Sequence, residues 1–501
     1  MNFLLENKQK MDELQKIQYN AKRRDFLLGS AIGLGGMALQ GLIGCKSKPE
    51  AVKKGNIISE PVEQENRPLG SPHFMPTAKR VIYLFQSGGP SQMELFDYKP
   101  MLYKMHGKEI PPSVMGTNRV SGMTSNQYSF PLAMPACNFS QYGSNSTYLS
   151  ELIPHTASIV DELCIVKSMV TDQINHEPAM IFTQTGNQLS GRPCIGSWLS
   201  YGLGSMNQNL PAFIVMLSKG GGDQPISSAA WSSGFLPSYH QGVQFLSVKD
   251  PVLFLKTPDG VERMDRRRAL DFIKQFNIVQ NEKWQDPEIE SQITQAEMAY
   301  KMQMAVPDIL DFSKEPKHIL DMYGPDVTKP GTFAHNCITA RRLIEKDVRF
   351  VQLYHLGWDH HGSISSGIRK ATKQTDQASA ALVKDLKQRG LLDDTLVIWG
   401  GEFGRTSFSQ GKLTPEGFGR DHHPGAYTTW MAGGGVKAGL VYGQTDDFAH
   451  NVVKDKVHVH DFQATLLYML GIDHEKFIYK NEGRRYRLTD VHGQVIKDII
   501  A

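Results

Sequence analysis

Short, nearly unbroken apolar runs punctuate the chain from residue 80 onward. The first, Arg-Val-Ile-Tyr-Leu-Phe-Gln at 80–86, stops at Ser87-Gly88-Gly89-Pro90. Similar runs occupy 164–170, 211–217, 348–354, 395–399 and 427–432. Runs of this length, rich in β-branched and aromatic residues, predict strands covered on both faces. Helical patterns lie between them, notably at 332–346 and 368–389. The alternation predicts an α/β fold built on a mostly parallel sheet with helices on both faces.

The stretch 219–330 breaks this rhythm. Gly220-Gly221-Gly222 and a serine-rich segment at 226–234 read as loop, and two polar helical patterns follow at 263–281 and 287–304. This region is expected to be a helical insertion over an edge or end of the sheet. Arg266-Arg267-Arg268 lies on the first of these helices and reads as a solvated face.

The N-terminus carries a different pattern. Lys22-Arg23-Arg24-Asp25-Phe26-Leu27-Leu28 opens an uncharged, glycine-rich apolar run at 26–43, which ends in Leu42-Ile43-Gly44-Cys45. The order arginine pair, apolar run, small residue, cysteine resembles a twin-arginine export signal closed by a lipobox. Residues 1–45 are then the signal, and Cys45 is the lipidated residue that ties the protein to a membrane of the cell envelope. An uncleaved membrane anchor is the alternative. Residues 46–77 are polar and aperiodic and read as a flexible tether. Residues 78–501 form the globular domain.

Composition narrows the class. Hydrophobic residues make up 40% and charged residues 21% of the chain, as in ordinary globular proteins. The formal net charge of +3 is too small to argue for nucleic acid as a partner. Cys137, Cys164, Cys194 and Cys337 contain no CxxC spacing, so no zinc ribbon or haem attachment is indicated. One or two disulfides would suit an exported protein.

The chemistry concentrates late in the chain. Eight of the 17 histidines fall between His355 and His460. Asp359-His360-His361 follows the run at 348–354, and Glu402 and Arg405 follow the run at 395–399. Asn175-His176 follows the run at 164–170, whereas Asp421-His422-His423 precedes the run at 427–432 and must loop back. Ligands of open α/β sheets collect beyond the carboxyl ends of the strands. Histidine is the commonest metal ligand. The pattern therefore predicts one metal-assisted site assembled from several strand ends. His355 reads simply as the end of a strand, Trp358 and Phe403 as packing residues, and His458 and His460 as capping and packing residues ahead of the helix at 462–470.

Several ordered segments resemble the domain of unknown function 1501 family, a sulfatase-like group within the alkaline phosphatase-like superfamily. They are Ser87-Gly88-Gly89-Pro90-Ser91-Gln92, Phe96-Asp97, Gly357-Trp358-Asp359, Gly401-Glu402-Phe403-Gly404-Arg405-Thr406, Gly419-Arg420-Asp421-His422 and His460-Asp461-Phe462-Gln463-Ala464-Thr465. The resemblance implies an alkaline phosphatase-like sandwich. It implies that Asp359, His361 and His422 bind one metal, with His360 or His423 as substitutes, and that Glu402 serves a second. Arg405 is implied as the clamp of a tetrahedral anion, with the Ser87-Gly88-Gly89 turn offering backbone N–H groups to the same anion. Carboxylate plus imidazole suits zinc or manganese; magnesium and calcium prefer oxygen-only sites.

Two departures qualify the comparison. Gln86 stands where the superfamily has a metal-binding acid, so either Glu94 or Asp97 reaches in from the next helix or the second metal is absent. Asn175-His176 stands where it has a Ser, Thr or Cys nucleophile. A metal-bound hydroxide, or His176 as nucleophile or ligand, then carries the reaction. The expectation is an exported, metal-dependent hydrolase of sulfate or phosphate esters, glycan esters among them. The rival is a non-catalytic binding or scaffold lipoprotein on the same fold.

Overall fold

The computed structural model describes residues 68–501 apart from 117–118, 220–225, 247–251, 253–259 and 285. The arginine pair, Cys45 and all but the end of the tether lie outside the described residues.

A nine-stranded sheet organises the domain. Its strands are β1 (Arg80–Ser87), β2 (Leu163–Val170), β3 (Phe213–Lys219), β4 (Val243–Phe245), β5 (Phe350–Leu356), β6 (Thr395–Gly400), β7 (Tyr427–Ala432), β8 (Val441–Tyr442) and β9 (Val457–His458). They lie in the order β8-β2-β7-β6-β1-β5-β3-β4, and β9 also pairs with β2. All these pairings are parallel except those of β7, which runs antiparallel to both β2 and β6.

Period-two alternation splits β1 between two cores. Ile82 and Leu84 point to one face and Val81, Tyr83 and Phe85 to the other. The first face is covered by α5 (Phe333–Glu345) and α6 (Ile364–Gln388). The second is covered by α1 (His176–Thr185), α2 (Ile195–Leu203) and α7 (Val459–Met469). On α6, Ile368, Ala371, Ala378, Leu382 and Leu386 recur at helical spacing and form the buried stripe. Truncating a fully buried side chain such as Leu84 to Ala should cost about 2–5 kcal/mol. In the stretch 219–330 the described residues include β4, α3 (Arg263–Trp284), α4 (Pro287–Leu310) and a short helix Lys317–Tyr323, and α4 sends Met302, Val306 and Ile309 into the first core.

Three expectations change here. All four described cysteines are buried free thiols, so the one or two disulfides that an exported protein could carry are not formed among them. His423 and the loop before β7 do not have to double back. Because β7 is antiparallel, its first residue already lies at the carboxyl edge of the parallel strands. Arg266-Arg267-Arg268 is not a wholly solvated face, since Arg267 is pinned to Asp271 and to Glu297 of α4. The capping role of His458 is seen directly: its Nδ1 accepts the His460 N–H at 3.3 Å, and Asp461 accepts the His458 N–H at 3.0 Å. No described helix is long and apolar enough to cross a membrane.

His355, the penultimate residue of β5, is buried with its ring edge-on to Phe333. Burial pushes its pKa down to about 4. An unfolded histidine titrates near 6.5. The neutral form is thus favoured in the folded state, and its stabilisation is complete above that value and is lost as pH falls from about 6.5 to about 4. The loss reaches about 2 kcal/mol by pH 5. Urea unfolding at pH 7.5 and pH 5 should show a smaller pH-dependent loss for His355→Gln than for the parent; equal losses would contradict this account.

Candidate metal centre

The carboxyl edge of the sheet gathers four loops. After β1 the chain turns at Gly88, whose φ of 117° and whose missing side chain are both required: a Cβ there would lie 2.5 Å from the Asp359 nitrogen. After β5 comes Gly357-Trp358-Asp359. After β6 comes Glu402, and the two-residue strand Gly404–Arg405 pairs antiparallel with His422–His423. That ladder brings His422 to the site. Gly419 lets the same loop press on His361, because a Cβ would sit 2.0 Å from the His361 carbonyl carbon.

His176, Asp359, His361 and His422 converge. One ligand atom from each lies within 4.8 Å of the others. Asp359 is the hub: its Oδ1 is 2.6 Å from Arg405 Nη2, 2.9 Å from His361 Nε2 and 3.4 Å from His422 Nε2, and its Oδ2 is 3.2 Å from His176 Nε2. Ring packing fixes the imidazoles, with His422 4.3 Å from His176 and 4.7 Å from His361, centroid to centroid. Phe403 backs both His176 and His422 at 4.9 and 4.6 Å.

The hydrogen bonds on the far side of each ring decide its chemistry. His176 Nδ1 meets Glu402 Oε1 at 2.6 Å, His422 Nδ1 meets the Ile174 carbonyl at 2.7 Å, and His361 Nδ1 meets Gln410 Oε1. Every one of these partners is an acceptor oxygen, so each Nδ1 carries the proton. Each Nε2 then presents a lone pair, and all three lone pairs face the Asp359 carboxylate. Buried His176 Nε2 and His422 Nε2 have no hydrogen-bond partner; the 3.2 Å approach of His176 to Asp359 is close in distance but lies outside hydrogen-bond geometry. Three lone pairs and an anion around one point need a cation.

The titration behaviour points the same way. Burial opposes a second proton on His176, but the carboxylates of Asp359 and Glu402 outweigh it and lift the pKa to about 9. Burial instead holds His422 down to about 4, with Asp359 pulling it only partly back. For Asp359 burial raises the pKa, yet the three histidines and the Arg405 charge hold it far below the usual carboxylate range. A divalent cation would take the place of the extra proton on His176. Three imidazole nitrogens plus one carboxylate suit zinc, then manganese, better than magnesium or calcium. The donor set therefore fits the expected metal.

Other sequence candidates are placed differently. Glu402 is fully buried but is not among the converging ligands. It accepts the Gly88 N–H at 2.9 Å and holds His176 from behind, the carboxylate–histidine arrangement that fixes a ligand's tautomer. Gly88 N–H is thereby taken and not free for an anion, while Ser87 is buried with its carbonyl on the Trp358 N–H. Arg405 is not an open anion clamp. Its guanidinium is buried and donates to the carbonyls of Gly88, Gly89 and Arg420 as well as to Asp359. His360 packs against Gly367 of α6, and His423 Nε2 bonds the His450 carbonyl at 2.5 Å, so neither replaces a ligand. Asn175 is the exposed N-cap of α1 and makes no side-chain cap bond.

The acids expected to serve a second metal are occupied elsewhere. Glu94 is fully buried and bonded to Arg420 and Ser91; Asp97 bonds Thr445 and lies near Lys99 and Lys167. Gln86 acts as a support, its amide oxygen accepting the Trp358 indole N–H at 2.9 Å and so steadying the residue before Asp359. Gln410 and the Ile174 carbonyl escaped sequence reasoning because nothing local marks them. Asp421 was visible in its motif, but not its partners Ser121 and Thr124, 300 and 297 residues away.

Fold and site together define an α/β protein with a candidate single-metal centre on the carboxyl edge of its sheet. Residues 78–500 match the family described as protein of unknown function (DUF1501), and the chain belongs to that family. A comparison with curated proteins found no match. Among solved structures it is similar to the PsFucS1 sulfatase from Pseudoalteromonas sp., at 13% identity over 84% of this chain and 74% of that one, TM-score 0.32. It is also similar to a protein in the alkaline phosphatase superfamily from Vibrio parahaemolyticus, at 11% identity over 81% and 70% of the two chains, TM-score 0.31. A third is the C-terminal periplasmic domain of EcEptC from Escherichia coli in complex with zinc, at 9% identity over 86% and 98%, TM-score 0.34.

Glu402→Gln should weaken zinc binding about 10- to 100-fold by loosening His176. Competition against a chromophoric chelator measures this. His360→Ala should leave the affinity unchanged, and the reverse ranking would contradict the assigned roles.

Proposed function

We propose that the protein is an exported, metal-dependent hydrolase of sulfate or phosphate esters. The observation that carries the reading is the set of three Nε2 lone pairs turned on Asp359 by Glu402, Gln410 and the Ile174 carbonyl. When bound, a divalent cation supplies Lewis-acid polarisation of the ester and a bound water of lowered pKa. The chain's own part is positional. His176, His361, His422 and Asp359 would hold the ion. Glu402 keeps the proton on His176 Nδ1, Arg405 fixes Asp359 while tying the loops together, and Phe403 closes the rear of the centre to water. In this reading His176 is a ligand and not a nucleophile, which accounts for the lack of Ser, Thr or Cys at 175–176. Export rests on the N-terminal pattern and the Cys45 lipobox.

The full chain should contain close to one metal per molecule by elemental analysis. Chelation should abolish hydrolysis across a panel of phosphate and sulfate esters that includes modified glycans, and zinc or manganese should restore it. Asp359→Asn should lower kcat/KM at least about 100-fold, comparable to losing a principal catalytic interaction. Stoichiometric metal with no turnover on any ester would instead leave a binding protein on the same scaffold.

A further inference from the structure

A cavity of about 470 Å³ lies between α2, the first residues of β3 and β4, and α4. Phe213 and Val243 each open a strand of the parallel part of the sheet, so the cavity sits at the amino end of β3 and β4. The metal centre stands at the opposite, carboxyl edge. Phe213, Val243, Met298 and Met302 make the walls largely apolar. Pockets of this volume, mostly apolar with a few fixed polar groups, are the usual form of small-molecule sites.

Two polar atoms are set into this lining without a partner. Tyr201 Oη and His240 Nε2 are buried and make no hydrogen bond, and each residue is 3% exposed. Both rings are fixed by other contacts. His240 Nδ1 pairs with Ser200 Oγ at 2.9 Å, and Tyr201 stacks on Phe477, centroids 5.8 Å apart. The two rings meet edge to face with centroids 5.5 Å apart, so their polar atoms belong to one corner of the cavity. A buried polar atom left without a partner is costly. A single water fills only about 30 Å³ and does nothing for the apolar walls. A molecule with a polar head and a hydrocarbon body matches both.

The chemistry of the head follows from the lining. No Lys, Arg, Asp or Glu is among the described residues that line the cavity. Burial holds the His240 pKa down to about 4, so its ring is neutral near pH 7. An ionised head would lose its hydration there with no opposite charge to replace it. A carbonyl or ether oxygen only accepts. A hydroxyl both donates and accepts, and so serves Tyr201 Oη and His240 Nε2 whichever tautomer the imidazole adopts.

We propose that this cavity binds an uncharged amphiphile, its hydrocarbon body against Phe213, Val243, Met298 and Met302 and its single hydroxyl head against Tyr201 and His240. The proposal is independent of the metal centre. Titration calorimetry of the full chain at pH 7.5 with 1-decanol, decyl methyl ether and decanoate tests it. 1-Decanol should bind one per chain, and the ether and decanoate should each bind at least about tenfold more weakly. Tyr201→Phe should weaken 1-decanol about tenfold. It should not lower the unfolding temperature of the ligand-free chain, because the lost hydroxyl has no partner within the fold. Met298→Trp, which fills the cavity from its wall, should abolish binding while zinc affinity reports an intact fold. No binding of 1-decanol, equal binding by folded Met298→Trp, or equal affinity for 1-decanol and decanoate would overturn the proposal. So would a lowered unfolding temperature in ligand-free Tyr201→Phe, since the hydroxyl would then serve the fold.

Discussion

Arg405 holds the site together. Its buried guanidinium reaches the loop after β1 through Gly88 and Gly89, the loop after β5 through Asp359, and the loop before β7 through Arg420. A buried guanidinium is costly unless its N–H groups are matched by acceptors. Here three carbonyls and one carboxylate match them, and those acceptors come from separate parts of the chain. The cost of burial thus becomes a constraint: the charge is tolerated only when the loops meet. Gln92 adds to this by pairing with both the N–H and the carbonyl of Arg405, each at 2.9 Å.

Given that frame, the imidazoles have little freedom left. Each is fixed on its outer side by an acceptor and on its flat side by another ring. What they share on the inner side is an excess of lone pairs around one carboxylate. Protonation of His176 or a bound cation each relieve that excess, and the cation does so for all three rings at once. The cluster is partly open on the side of Asp359 and His361, which are half-buried, whereas His176 and His422 are buried. That gradient sets the side from which a ligand approaches.

The domain departs from ordinary patterning in two places. At the carboxyl edge, charged and polar groups are buried together: Arg405, Arg420, Glu94, Glu402 and Asp421 are all buried. Each is held by a named partner, so the edge is rigid as well as polar. On α3, Met264, Phe272 and Val279 are exposed while Arg267 pairs inward with Glu297. The first departure organises the candidate metal centre.

The sheet was legible from the chain because burial on both faces demands unbroken apolar runs, and β1, β2, β3, β5, β6 and β7 lie within two residues of the segments so marked. Asp359, His361 and His422 were legible because metal-binding residue types stand beside the strand runs, where ligands of open α/β sheets collect. The direction of β7 was not legible: an apolar run reads the same in either direction, and only pairing with β2 and β6 sets it. Nor were the roles of Glu402, Arg405 and Gln410. A side chain's identity states what bonds it can make, not which partner it meets, and those partners lie tens to hundreds of residues away. The sequence by itself therefore determined which elements form and which groups carry chemistry. Tertiary structure decided which groups face the centre and which stand behind it, because hydrogen-bond partnership is a matter of position in space.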